Sequence, residues 1–163
     1  MLAMETVAPF HIASRGLVST EIQEAQFLQK LDQKKQLEIL INERLKFKPL
    51  AYITNHKEFY GLKLIVNASV LIPRPETELL VEKVLSLYGS KPLRLLDLGT
   101  GSGAIGLSLL SERPSWEVYC SDLSFHALKV ARENKKNNAI NVQLINSDWL
   151  SAFKCNSFDI IVS

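Results

Sequence analysis

Between Leu93 and Leu110 the chain passes from an apolar run, Leu93-Arg94-Leu95-Leu96-Asp97-Leu98, through Gly99-Thr100-Gly101-Ser102-Gly103, into Ala104–Leu110. No other stretch restricts the fold as strongly. The apolar run has the length and bounds of a buried strand. Glycines at alternate positions let the backbone turn sharply and let a ligand approach without meeting a Cβ. The segment after them reads as a helix stopped before Pro114. Strand, bare turn and helix in that order form the place where an open α/β sheet holds its ligand. The alternation continues with a strand over Trp116–Cys120, a helix over Ser124–Asn134, a strand over Val142–Ile145 and a fourth over Phe158–Val162. Such alternation predicts an α/β fold whose parallel sheet is covered on both faces.

Two segments of different texture come first. Ser19 to Phe47 is rich in Leu, Gln, Glu and Lys, with no Gly or Pro. Ile22, Ala25, Leu28 and Leu31 recur at helical spacing, as do Leu37, Leu40 or Ile41, and Leu45. Thr20 with Gln23 fits a capping box, and the register slips near Asp32, so two helices with a joint there are expected. Their apolar stripe suits a core or a partner-binding face. Ala51 to Pro75 turns to aromatic and β-branched residues around Tyr60-Gly61, the texture of short strands in a hairpin. Ile72-Pro73-Arg74-Pro75 is stiff, and Pro75, Glu76 and Glu78 suit the first turn of a helix running to Gly89. The expected organisation is a helical module over 1–50, a hairpin linker over 51–75 and an α/β domain over 76–163.

Composition removes several classes of function. Apolar residues make up 47% and charged residues 22%, the balance of a globular chain rather than a disordered one. Lys plus Arg total 19 against 17 for Asp plus Glu, a formal charge of +2. That is too weak for the basic footprint of a dedicated nucleic-acid binder, so no direct nucleic-acid partner is expected. No apolar stretch approaches the ~18 residues of a membrane span. Cys120 and Cys155 stand far apart, and His11, His56 and His126 are scattered. Neither pattern makes a metal site or a disulfide framework, and isolated thiols fit a reducing, cytoplasmic setting.

Charge narrows the choice of ligand at the turn. Residues 101–106 satisfy G-x-G-x-x-G literally, so a dinucleotide is one candidate. Yet Asp97 lies two residues before Gly99, and no Lys or Arg occurs from Asp97 to Ser111. A carboxylate there suits an ammonium-bearing ligand and repels a pyrophosphate. S-adenosylmethionine has an amino-acid tail and a sulfonium but no phosphate, and it is the favoured candidate. Asp122, about twenty residues after the glycines, can accept hydrogen bonds from ribose hydroxyls or can cap the following helix. Asp148-Trp149, past the third strand, offers a polar edge and an aromatic face for an adenine, or a core tryptophan.

Taken with Glu58-Phe59-Tyr60-Gly61 and Val70-Leu71-Ile72-Pro73-Arg74-Pro75-Glu76-Thr77-Glu78-Leu79-Leu80-Val81-Glu82, the run Leu95 to Gly103 resembles the HemK/PrmC protein-glutamine methyltransferases. The likeness extends from about Arg44 to Ser163, more loosely over the helices before it. The Ile-Pro-Arg-Pro-Glu-Thr-Glu string is its specific part, whereas the glycine motif is shared by many methyltransferases. The resemblance implies a Rossmann-like class I fold behind an N-terminal helical domain that engages the substrate protein. It implies methyl transfer from S-adenosylmethionine to the side-chain amide nitrogen of the Gln in the Gly-Gly-Gln motif of peptide-chain release factors. Asp97, Gly99, Thr100, Gly101, Ser102 and Gly103 would form the donor turn. Asp122 would hold the ribose, and Asp148 with Trp149 would lie at the adenine. Pro73–Thr77 is expected near the pocket. The fourth strand is expected beside the first and, in the family, runs directly into Asn-Pro-Pro-Tyr. Ser163 is the residue before that motif, so no catalytic residue is expected within these positions. A shortened chain with a sticky last strand is anticipated. A nucleic-acid amino-methyltransferase, an enzyme acting on a ribosomal-protein glutamine, and a non-catalytic binding fragment are the alternatives.

Overall fold

The computed structural model describes residues 29–163, and the chain divides into two compact units between Lys48 and Pro49. In the first unit residues 29–45 are helical (α1). This run passes unbroken through Asp32, where the sequence pattern suggests a joint. No Gly or Pro interrupts it, and one Asp costs a helix only about 0.5 kcal/mol. The capping pair Thr20 and Gln23 lies outside the described residues.

The second unit begins with α2 (Leu50–Thr54), whose N-cap is Pro49 at φ −56°. Tyr52 and Ile53 therefore lie in a helical turn and not in a strand. The Tyr52 hydroxyl donates to the Val70 carbonyl at 2.7 Å, which fastens this turn to the stretch around Val70. The hairpin follows: β1 (His56–Phe59) pairs antiparallel with β2 (Leu62–Ile65), Glu58 standing opposite Lys63. Its turn uses Tyr60 and Gly61, both at positive φ, which suits the twist of the flanking strands. A 3₁₀ turn (Pro75–Thr77) leads into α3 (Glu78–Tyr88), stopped at Gly89. Glu78 Oε1 accepts the Tyr60 amide at 2.9 Å, so the proline-rich string is tied back to the hairpin.

The remaining elements are β3 (Arg94–Leu98), α4 (Ala104–Glu112), β4 (Glu117–Asp122), α5 (Phe125–Asn137), β5 (Gln143–Asn146) and β6 (Ile160–Val162). They form one parallel sheet in the order β5-β4-β3-β6. β6 lies beside β3, as the resemblance implies. The chain builds outward from β3 through β4 to β5, then crosses back, so the order reverses next to β3. The crevice at such a reversal is the binding position of doubly wound sheets. Leu95, Val118, Val142 and Ile160 of the strand region pack with Leu107 and Leu109 of α4 and Val81 and Val84 of α3. Each fully buried aliphatic side chain contributes about 1.5–3 kcal/mol. Helix α4 comes very close to β4 at Gly106, where a Cβ would stand 2.3 Å from Cys120 Sγ. The last glycine of the literal G-x-G-x-x-G is thus a packing residue. Among the described residues no helix is long and apolar enough to cross a membrane.

Candidate functional site

The turn after β3 is built around two carboxylates. Asp97 is buried, and its Oδ2 accepts from Thr100 Oγ1 at 2.6 Å and from the Gly106 amide at 3.0 Å. Removal from water pushes its carboxyl up to about 6; the two hydrogen bonds oppose that rise, and the charge of Asp122 adds to it. Asp97 is the internal post of the turn and does not line the cleft described below. The second carboxylate, Asp122 at the end of β4, accepts the Gly101 amide through Oδ2 at 2.9 Å and the Ser124 amide through Oδ1 at 2.8 Å. Ser124 in turn caps α5, its Oγ accepting from the Ala127 amide at 3.2 Å.

The backbone completes the clamp. The Gly99 and Thr100 amides donate to the Ser121 carbonyl at 2.8 and 2.9 Å, and the Gly103 amide donates to the Thr100 carbonyl at 2.9 Å. With Gly101, four amides of the turn are committed inside the protein. Gly101 has φ +57°, a left-handed conformation in which an L side chain is strained.

A cleft of about 220 Å³ opens at the C-terminal ends of β3, β4 and β5. Of the residues singled out in the sequence, Gly99, Asp122, Asp148 and Trp149 line it. Thr100 and Ser102 are buried with Asp97, while Gly101 and Gly103 hold the turn together without forming the wall. Pro73–Thr77 is not among the residues that line it. Leu98, Ser121, Leu123 and Ser147 line the cleft and escaped sequence reasoning. Their only signal is adjacency to the strand-end acids. Ser121 Oγ is fully buried and has no hydrogen-bond partner among the described residues.

Trp149 stands on the rim, 71% exposed and at φ +49°, which is unusual for a bulky residue. Ser147 holds it there: its hydroxyl donates to the Trp149 carbonyl at 2.9 Å and accepts the Ala152 amide at 3.2 Å. The core tryptophan of the chain is Trp116, 4% exposed. The two ionisable side chains on the cleft wall, Asp122 and Asp148, are both acids.

This arrangement coincides with a family match. Residues 75–163 fit the family described as methyltransferase small domain, more than half of the chain. The chain belongs to that methyltransferase family. It is 44% identical over 133 residues to the release factor glutamine methyltransferase of Escherichia coli (strain K12), aligned across 81% of this chain and 48% of the relative. To the enzyme of the same name from Lactococcus lactis subsp. lactis (strain IL1403) it is 47% identical over 133 residues, across 81% of this chain and 49% of the relative. The chain spans about half the length of these curated relatives. Among solved structures, the Pyrococcus abyssi tRNA (uracil-54, C5)-methyltransferase, in complex with S-adenosyl-L-homocysteine, shares the fold with a TM-score of 0.54 at 19% identity, over 65% of this chain and 26% of that one. The chain thus shares the α/β frame of that structure, and the cleft lies at the strand ends of this frame.

Proposed function

We propose that the cleft binds S-adenosylmethionine and that the protein bearing this chain methylates the side-chain amide nitrogen of a glutamine in peptide-chain release factors. The observation that carries the cofactor is the charge of the cleft wall, where Asp122 and Asp148 stand with no basic side chain among the lining residues. A phosphate would meet two carboxylates there and no cation, whereas S-adenosylmethionine carries no phosphate. Each Asp122 oxygen keeps a further lone pair for a ribose hydroxyl. The exposed Trp149 ring suits an adenine face, with Asp148 beside it. Acids on the wall favour the cationic sulfur and ammonium. When bound, the cofactor would supply an electrophilic methyl group. The residues of this chain bind and orient it. The choice of release factors as acceptor rests on the relatives at 44% and 47% identity, which carry that name.

Label transfer tests the reading. With methyl-labelled S-adenosylmethionine, label is expected in a release factor and absent when its Gly-Gly-Gln glutamine is replaced by alanine. Label entering nucleic acid or a ribosomal protein instead would overturn the substrate assignment. Calorimetry showing tight binding of a nicotinamide dinucleotide and none of S-adenosylmethionine would overturn the cofactor assignment.

A further inference from the structure

Asn134 sits in α5 with no exposed surface. An amide removed from water is tolerated when its polar atoms are paired, and here they are. Its Oδ1 accepts the Ile65 amide at 2.6 Å, and its Nδ2 donates to the Ile65 carbonyl at 2.9 Å. One side chain thus answers both backbone groups of a single β2 residue, as a neighbouring strand would. One helical turn on, Asn138 Nδ2 donates to the Lys63 carbonyl at 3.2 Å and to the Asn134 carbonyl at 2.9 Å. Lys63 and Ile65 are alternate residues, so these bonds fall on the β2 edge that faces away from β1. Asn134 of α5 and its C-cap Asn138 complete an edge that would otherwise stand open.

Asn134 makes one bond more. Its Nδ2 also donates to the Ser102 carbonyl at 2.9 Å. Ser102 lies between Gly101, whose amide is held by Asp122, and Gly103, the N-cap of α4. A continuous line of hydrogen bonds therefore runs from the cleft wall at Asp122, through the turn and Asn134, to the hairpin. Glycine-rich turns have the most conformational freedom to lose on ordering, so a fixed external bond in the middle of one removes much of it beforehand. We infer that Asn134 is a positioning residue for the cofactor cleft, locking the outer edge of the hairpin to the glycine-rich turn so that order imposed by a ligand reaches β2. The inference rests on the S-adenosylmethionine reading above. Rigidity added at one end of such a line appears as reduced opening at the other.

Two measurements decide it. In the unmodified protein, amide hydrogen exchange at Ile65 is followed with and without saturating S-adenosylmethionine. At least a threefold slowing is expected, because the Ile65 amide bonds to Asn134 and not to the ligand. A purely structural asparagine gives no ligand dependence, so protection confined to the turn, with Ile65 unchanged, overturns the inference and leaves the cofactor reading intact. Absence of S-adenosylmethionine binding by calorimetry overturns both. Asn134→Asp, nearly isosteric but as a carboxylate unable to donate to the Ile65 and Ser102 carbonyls, is expected to weaken binding about tenfold, whereas Asn138→Asp, which leaves the bond to Ser102 in place, stays within twofold. Equal affinities for the two variants would also overturn it. Should Asn134→Asp not fold, the exchange experiment on the unmodified protein is sufficient by itself, slowing at Ile65 supporting the inference and no change there overturning it.

Discussion

The Asp122 carboxylate holds the Gly101 amide at 2.9 Å, joining the end of β4 to the middle of the glycine-rich turn. One acid therefore shapes the turn and faces the cleft at the same time. Its other oxygen fixes the start of α5 through Ser124. Asp122→Ala should lower S-adenosylmethionine affinity by about 1.5–3 kcal/mol, the range for hydrogen bonds to a charged group. It should also lower unfolding stability by about 1–3 kcal/mol, because two backbone donors lose their acceptor. Calorimetry and urea titration read the two effects. An unchanged dissociation constant beside a lowered stability would leave Asp122 as a capping acid only.

Gly101→Val tests how the turn presents Asp122, since Gly101 itself does not line the cleft. A Cβ at Gly101 meets no atom within 4 Å, so the protein itself has room for the side chain. The cost is the left-handed backbone, about 1–2 kcal/mol. Binding should fall by more than tenfold with only that modest loss of stability, measured on the same preparation.

Gly106→Ala should do the reverse. Its Cβ would stand 2.3 Å from Cys120 Sγ and 3.2 Å from Asp97 Oδ2, inside the closest part of the helix-to-sheet packing. Overpacking of this kind costs about 1–3 kcal/mol. Adding Cys120→Ala removes the sulfur and should restore part of the lost stability in urea melts. No recovery in the double variant would mean that Asp97, rather than Cys120, limits the space.

Trp149→Ala should leave the melting temperature nearly unchanged, since the ring is 71% exposed and buries little. Affinity for S-adenosylmethionine should fall by about 0.5–1.5 kcal/mol, the scale of one aromatic stacking pair. Binding should also quench the Trp149 fluorescence while sparing the buried Trp116. A variant that binds as well as the parent would remove the ring from the adenine site.

Asp97 gives a pH dependence of unusual sign. Burial raises its folded-state carboxyl to about 6 from 3.8. Between those values the folded chain holds the proton more tightly than the unfolded one, so stability falls as pH rises through the window. The contribution is fully present below pH 3.8 and lost above about 6, amounting to about 3 kcal/mol. Asp97→Asn keeps an acceptor for Thr100 and Gly106 and removes the titration. The stability of the variant relative to the parent should therefore climb by about that amount between pH 4 and 7 in urea melts. A flat difference would show that Asp97 does not titrate in this range.

Much of the frame was legible because its signals are local. The six-residue run ending at Leu98, the alternate glycines and Pro114 each restrict neighbouring backbone, and they recur as β3, the turn and α4. The strand endings moved by a residue or two, and Tyr52-Ile53 went to a helical turn because Pro49 fixes a helix-compatible start there. At the cleft the legible part was Gly99, Asp122, Asp148 and Trp149, which all stand at strand ends. Leu98, Ser121, Leu123 and Ser147 were not legible, since ordinary Leu and Ser residues acquire a role only from what lies across the crevice.

The sequence by itself determined the α/β alternation, the position of the bare turn and its anionic surroundings, because periodicity, glycine and charge act within a few residues of themselves. Only the tertiary structure decided which polar groups satisfy one another. It turned Asp97 inward, committed the turn amides, left Trp149 in solvent and paired Asn134 with a hairpin residue 69 positions away. The physical reason is that burial makes every unpaired donor and acceptor costly, and the partner that relieves the cost is chosen in space and not along the chain.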